Sequence, residues 1–176
     1  ANSQRRRSTQ TTLHRLVTGL CRMLAPILAF TADEAWEFVP GKLAATVHQT
    51  TLTPAAFPRS DAEVGAWNGL IALRGKLLPE LEKARQAKTI GKSLEARVIL
   101  SGSDQLVVDA KTHLENLREL VNVSQLEVES GVDGTIPIQV VRAEGQKCER
   151  CWHWETDVGQ NPGHPTICSR CVEAVK

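Results

Sequence analysis

With 176 residues, 41% of them hydrophobic, the chain can hold one ordinary domain or two small ones and has apolar content for a core. A net charge of +1 excludes a polyanion partner drawn by a global field, so any such contact rests on local clusters of Lys and Arg. There is no run of about 18 apolar residues and no signal-peptide pattern, which indicates neither a membrane span nor secretion and implies a cytoplasmic protein.

The opening Ala1, with Gln4-Arg5-Arg6-Arg7 close behind, reads as an interior stretch of a longer chain. From Leu13 the residues Leu13, Leu16, Val17, Leu20, Cys21 and Leu24 follow helical spacing, with Arg15 and Arg22 opposite and Cys21 in the core. Pro26 ends or kinks that helix. Thr31 to Glu34 has the form of a capping box for a second helix that carries Trp36 and stops at Pro40-Gly41. Residues 42–60, with Pro54 and Pro58, read as a connecting loop with an extended piece at 46–49. Ser60 to Glu63 forms a second capping box, followed by a long helix with Val64, Trp67, Leu70, Ile71, Leu77, Leu78 and Leu81 on one stripe. Trp36 and Trp67 are expected in the core. Arg74 falls on the same stripe and is expected to pair, and Pro79 to kink the helix.

Lys83, Arg85, Lys88, Lys92 and Arg97 then gather around Thr89-Ile90-Gly91. Such a run is either a solvated helix end whose cations suit the C-terminal dipole or a polyanion contact. Ala96 to Ser101 has strand composition, and Asp104 is placed to cap a helix through Leu106, Val107, Ala110, Leu114, Leu117, Leu120 and Val121 up to Asn122. Gln125 to Glu129 and Ile136 to Val141 read as strands around a turn at Gly131 to Gly134.

The tail carries Cys148-x-x-Cys151, sixteen intervening residues, and Cys168-x-x-Cys171. That spacing lets two turns converge on one tetrahedral Zn²⁺. Four thiolates fill every position, so the ion holds structure and does no chemistry. Disulfides or a redox dithiol are the other reading of the pairs, and His153 and His164 lie in the loop as alternative ligands. The expected fold is mainly α with a small α/β unit: a helical bundle over 1–85, a strand-helix-strand-strand module over 86–145, and a four-cysteine zinc finger over 146–176.

Leu24-Ala-Pro-Ile-Leu-Ala-Phe-Thr-Ala-Asp-Glu-Ala-Trp36 resembles the anticodon-binding bundle of class I aminoacyl-tRNA synthetases of the isoleucine, valine and leucine group. Trp67 to Arg74, Leu81 to Arg85 and Lys88 to Ala96 resemble the stretch after that bundle in bacterial isoleucyl-tRNA synthetases. Lys147 to Trp152 and His164 to Cys171 resemble their C-terminal zinc finger. The resemblance implies a C-terminal fragment that binds isoleucine tRNA, adjoins the rest of the synthetase polypeptide, works as a monomer and catalyses nothing itself. ATP belongs to the parent enzyme, whose His-Ile-Gly-His and Lys-Met-Ser-Lys-Ser signatures are absent; Lys88-Thr-Ile-Gly-Lys-Ser93 is not the latter.

An anticodon loop offers splayed bases and phosphates, which aromatic planes, guanidinium planes and cations recognise. The candidates are Lys83, Arg85, Lys88 and Lys92 at the junction and Arg150, Trp152 and Trp154 beside the knuckle. The tryptophans otherwise form an apolar cap over the metal, and Arg5 to Arg7 are a further basic tract. Two rival readings remain: a nucleic-acid-binding fragment of the DNA glycosylase type, which shares this finger, and a purely structural zinc-stapled docking domain.

Overall fold

The computed structural model describes residues 3–53, 58–102, 105–130 and 137–175. The expected cap at Asp104, the turn at Gly131 to Gly134, Pro54 and the start of a strand at Ile136 lie outside them. The chain divides into two compact units, Ala1–Pro58 and Arg59–Lys176.

In the first unit, α1 (Gln4–Leu24) starts on Ser3, whose hydroxyl accepts the Arg6 amide, and ends just before Pro26, as a residue ahead of proline should. The chain turns at once into α2 (Ala29–Glu37), because the Leu28 amide bonds to Leu24 O at 2.7 Å and the Ala32 amide to Leu28 O at 2.8 Å. Thr31 therefore lies inside α2 and caps nothing; the first helical residue is Ala29, and Leu28 at the N-cap makes no side-chain bond. Asp33 works outside its own helix, accepting Thr46 Oγ1 at 2.5 Å and the Val47 amide at 2.9 Å. It thereby holds a 3-10 turn at Val47–Gln49 where an extended piece was expected. These bonds, the one from Thr46 foremost, hold the Asp33 carboxyl below the ordinary carboxylate range. Cys21, Ala25, Ala32, Trp36, Val39 and Val47 form the core here. Trp36 is 1% exposed and donates Nε1 to Ala44 O. Arg22 does not stand clear on the opposite side: its guanidinium lies 5.5 Å from the centre of the Trp36 ring.

The second unit begins with α3 (Asp61–Gln86), where the capping box is formed in full: the Ser60 hydroxyl accepts the Glu63 amide and the Glu63 carboxylate accepts the Ser60 amide. The helix continues through Pro79. Behind it come β1 (Ala96–Gly102), α4 (Gln105–Thr112), α5 (Leu114–Val121), β2 (Gln125–Ser130) and β3 (Ile138–Arg142). The single expected helix is thus two, broken at His113, whose φ of −115° and ψ of 35° leave the helical region. The sheet order is β2-β1-β3, with β1 parallel to β2 and antiparallel to β3. Parallel pairing requires a crossover, which α4 and α5 supply. Leu70, Leu73, Leu77 and Leu81 of α3 meet Val98 and Leu100 of β1 and Leu117 and Val121 of α5 in one core. α3 thus shares one core with the sheet, and the first compact unit ends at Pro58. Trp67, expected in the core, is 48% exposed on the flank of that buried face. Arg74 does pair, donating Nε to Leu120 O at 3.1 Å in the last turn of α5.

Candidate metal centre and nucleic-acid interface

The tail begins with a two-stranded ribbon, β4 (Gln146–Lys147) against β5 (Trp154–Glu155), and ends in α6 (Ser169–Val175). The ribbon turns tightly because the Cys148 amide bonds to His153 O and the Trp152 amide to Cys148 O, both at 2.9 Å. Trp152 carries a φ of 66° to close it. Cys168 starts the second arm, with the Cys171 and Val172 amides on its carbonyl. The Sγ atoms of Cys148, Cys151, Cys168 and Cys171 all lie within 4.8 Å of one another, and Cys151 Sγ is 3.8 Å from Cys168 Sγ. A tetrahedron with arms of about 2.3 Å has edges of about 3.8 Å, so the set fits Zn²⁺.

The surroundings fit it too. The Cys168 amide points at Cys148 Sγ from 3.4 Å and an Arg150 guanidinium nitrogen at Cys171 Sγ from 3.6 Å. Burial pushes the Cys168 thiol up to about 12 and raises Cys171 as well. At Cys148 burial acts in the same direction, but the amides of Cys151, Cys168 and Arg150 outweigh it and hold the thiol at about 6. Thiols pushed up by burial become thiolates when a divalent cation sits between them, and Arg150 and Arg170 offset the residual negative charge of a four-thiolate site. Neither loop histidine joins the cluster. His153 is half-buried with an unpartnered Nδ1, and burial, helped by the charges of Arg170 and Arg118, pushes it down; His164 is exposed. All five cysteines are free thiols.

The cations at the junction are unequal. Lys83 is tied to Glu80 at 2.7 Å and Arg85 to Glu82 at 2.5 Å, with Arg85 also donating to Ser93 Oγ at 3.3 Å. Lys88 and Lys92 are exposed and have no acidic partner among the described residues. α3 ends in a Schellman motif, the Thr89 amide on Ala84 O and the Lys88 amide on Arg85 O, which puts Lys88 in the left-handed region with a φ of 59°. α5 ends in the same motif on Asn122, a residue that tolerates that conformation. Ile90, 2% exposed, pins the basic segment to the core.

Beside the metal site, Trp152 is 61% exposed, with Lys147 Nζ over its ring 5.7 Å from the centre. Trp154 differs. It is half-buried, its amide donates to Ser124 Oγ at 2.7 Å, and the Arg142 guanidinium covers its ring at 5.3 Å. Sequence reasoning missed Ser124, Arg118 and Gly145, which seat this ribbon. Ser124 is fully buried, Arg118 reaches Glu155 at 3.5 Å, and a Cβ on Gly145, whose φ is +89°, would lie 2.3 Å from Glu155 O. Only the glycine had a visible signal, a flexible residue just ahead of the first cysteine pair.

Two family descriptions match the chain: an anticodon-binding domain of tRNA ligase over residues 1–100, and a zinc finger found in FPG and IleRS over residues 145–174. Among its relatives are the isoleucine-tRNA ligase of Exiguobacterium sibiricum, 41% identical over 97% of this chain, and that of Dichelobacter nodosus, 40% identical over 99%. That of Staphylococcus carnosus is 39% identical over 99%. The chain spans about a fifth of the length of these relatives, 19% of the first two and 20% of the third. No helix among the described residues is long and apolar enough to cross a membrane.

Proposed function

The chain belongs to the anticodon-binding domain family of tRNA ligases, and from that premise we propose that it is the tRNA-binding C-terminal region of an isoleucine-tRNA ligase. In this reading it holds the anticodon stem-loop of isoleucine tRNA while a catalytic body elsewhere in the polypeptide carries out ATP-dependent aminoacylation. The region itself is non-catalytic, monomeric and cytoplasmic. One Zn²⁺ on Cys148, Cys151, Cys168 and Cys171 supplies the fold of the tail and no reaction chemistry.

The observation that carries this reading is that one compact unit, Arg59–Lys176, displays both the exposed lysines of the junction and an exposed tryptophan on the metal knuckle. Lys88 and Lys92 are the phosphate contacts, since nothing acidic among the described residues competes for them. Lys83 and Arg85 contribute less, because an anion must displace Glu80 and Glu82. Trp152 is the stacking plane, and Arg150 supports the metal site and reaches RNA only with its remaining donors. Trp154 serves to seat the ribbon and does not stack.

The test is binding of the zinc-loaded chain to isoleucine tRNA and to an unrelated tRNA across a salt series. Salt-dependent binding that prefers isoleucine tRNA is expected, with Trp152→Ala losing roughly 1–3 kcal/mol of affinity. Equal, weak binding to both would move the region's role to docking within a larger polypeptide. The buried seat of Trp154 favours that second reading.

A further inference from the structure

Ser124 is the one buried polar side chain among the described residues, and it is fully enclosed. Its hydroxyl makes two bonds, donating to Leu94 O at 2.5 Å and accepting the Trp154 amide at 2.7 Å. A hydroxyl has one proton, so these two bonds use it as donor once and as acceptor once. The two partners lie far apart in function. Leu94 sits in the 3-10 turn Ser93–Glu95 that closes the basic segment, with the Glu95 amide on Lys92 O and the Gly91 amide on Glu95 Oε2, both at 2.9 Å. Trp154 is the first residue of β5, three positions after a metal-ligand cysteine.

Neighbouring bonds run the same way. The Ala143 amide bonds to Glu95 O at 2.7 Å, the Gln125 side chain clasps the backbone of Glu144 at 3.0 and 3.1 Å, and Gly145 lets that strand pass against Glu155. The basic turn and the ribbon that carries the metal ligands thus both rest on one enclosed hydroxyl. Loss of either contact leaves a buried polar group unsatisfied, which links the two segments energetically.

We propose that Ser124 is a positioning residue through which the metal-bound ribbon sets the conformation of the basic segment 88–95, so that metal occupancy of the tail governs how Lys88 and Lys92 are presented to an RNA backbone. The functional half of this inference rests on the tRNA-binding reading; the structural half does not. The test is hydrogen exchange of the full chain, zinc-loaded, zinc-chelated and as Ser124→Ala. Ser124→Ala is expected to keep its zinc and to speed exchange roughly tenfold or more at the amides of Trp154, Gly91 and Glu95, while Val98 and Leu100 stay slow. Chelation of the wild-type chain should speed Gly91 and Glu95 as well. In parallel, Ser124→Ala should bind isoleucine tRNA more weakly with a salt slope smaller by up to about two phosphate contacts.

Unchanged exchange at Gly91 and Glu95 on chelation would overturn the coupling, whatever happens at Trp154, and it decides the matter even if Ser124→Ala fails to fold. Faster exchange at those amides in a chain whose wild type binds no tRNA would leave the coupling standing and remove the tRNA reading.

Discussion

α1 and α3 both carry apolar residues at helical spacing, yet they end in opposite states. α1 buries Cys21 while Leu13, Leu16, Val17, Leu20 and Leu24 stay 39–54% exposed; α3 buries Leu70, Leu73, Leu77 and Leu81 to 2% exposure or less. The difference lies in what faces them. α3 has a three-stranded sheet and two helices on its apolar side, whereas the core of the first unit reaches only the last turns of α1. Periodicity specifies which face of a helix seeks cover; the partner that provides it is a separate matter.

The largest expected effect that tests this contrast is removal of the metal. Structural zinc contributes on the order of 10 kcal/mol to a module of this kind, so chelation, or Cys168→Ser, should abolish amide protection over 146–175. Helices α1 to α5 and the β2-β1-β3 sheet should keep their far-ultraviolet signal; collapse of all helical signal would show that the rest of the unit leans on the tail for its existence. Next in size, Leu77→Ala should lower unfolding free energy by about 2–5 kcal/mol, while Leu16→Ala should shift it by no more than about 0.5 kcal/mol. A comparable loss at Leu16 in a denaturant titration would mean that the α1 face is covered in solution. The smallest effect sharpens the comparison at the helix starts: Ser60→Ala should destabilise by about 1 kcal/mol, whereas Thr31→Ala, inside α2, should leave stability near its starting value. Equal losses would place a working cap at both.

These helix starts also show what was readable. Thr31 and Ser60 head the same four-residue pattern, and only Ser60 caps, because the turn after Pro26 had already nucleated α2 at Ala29. A local motif is a valid sign only where the preceding backbone is free to end. The four cysteines were legible because coordination geometry is written into their spacing, and the small α/β unit because strand alternation and helix periodicity alternate in turn. Trp67 misled because the stripe around α3 is wider than the face its sheet covers. Ser124 and Arg118 left no trace, since each acts across 30 or more positions, on Trp154 and Glu155, and a lone serine or arginine is compatible with almost any role.

The position of β1 in the middle of its sheet makes its two pairings unequal in closure. β1 pairs with β2 across a closure such as Arg97 to Gln125, shorter than that from Ala96 to Arg142 needed to add β3, so the parallel pair with its helical crossover is the cheaper loop to close. Ser124 and Gln125, which receive the ribbon, come into place only with β2, and Arg142, which covers Trp154, only with β3. The seat of the tail is therefore complete only once both pairings are made. A chain in which β2 and β3 are not paired offers the ribbon no seat, whether or not its four thiols hold a metal.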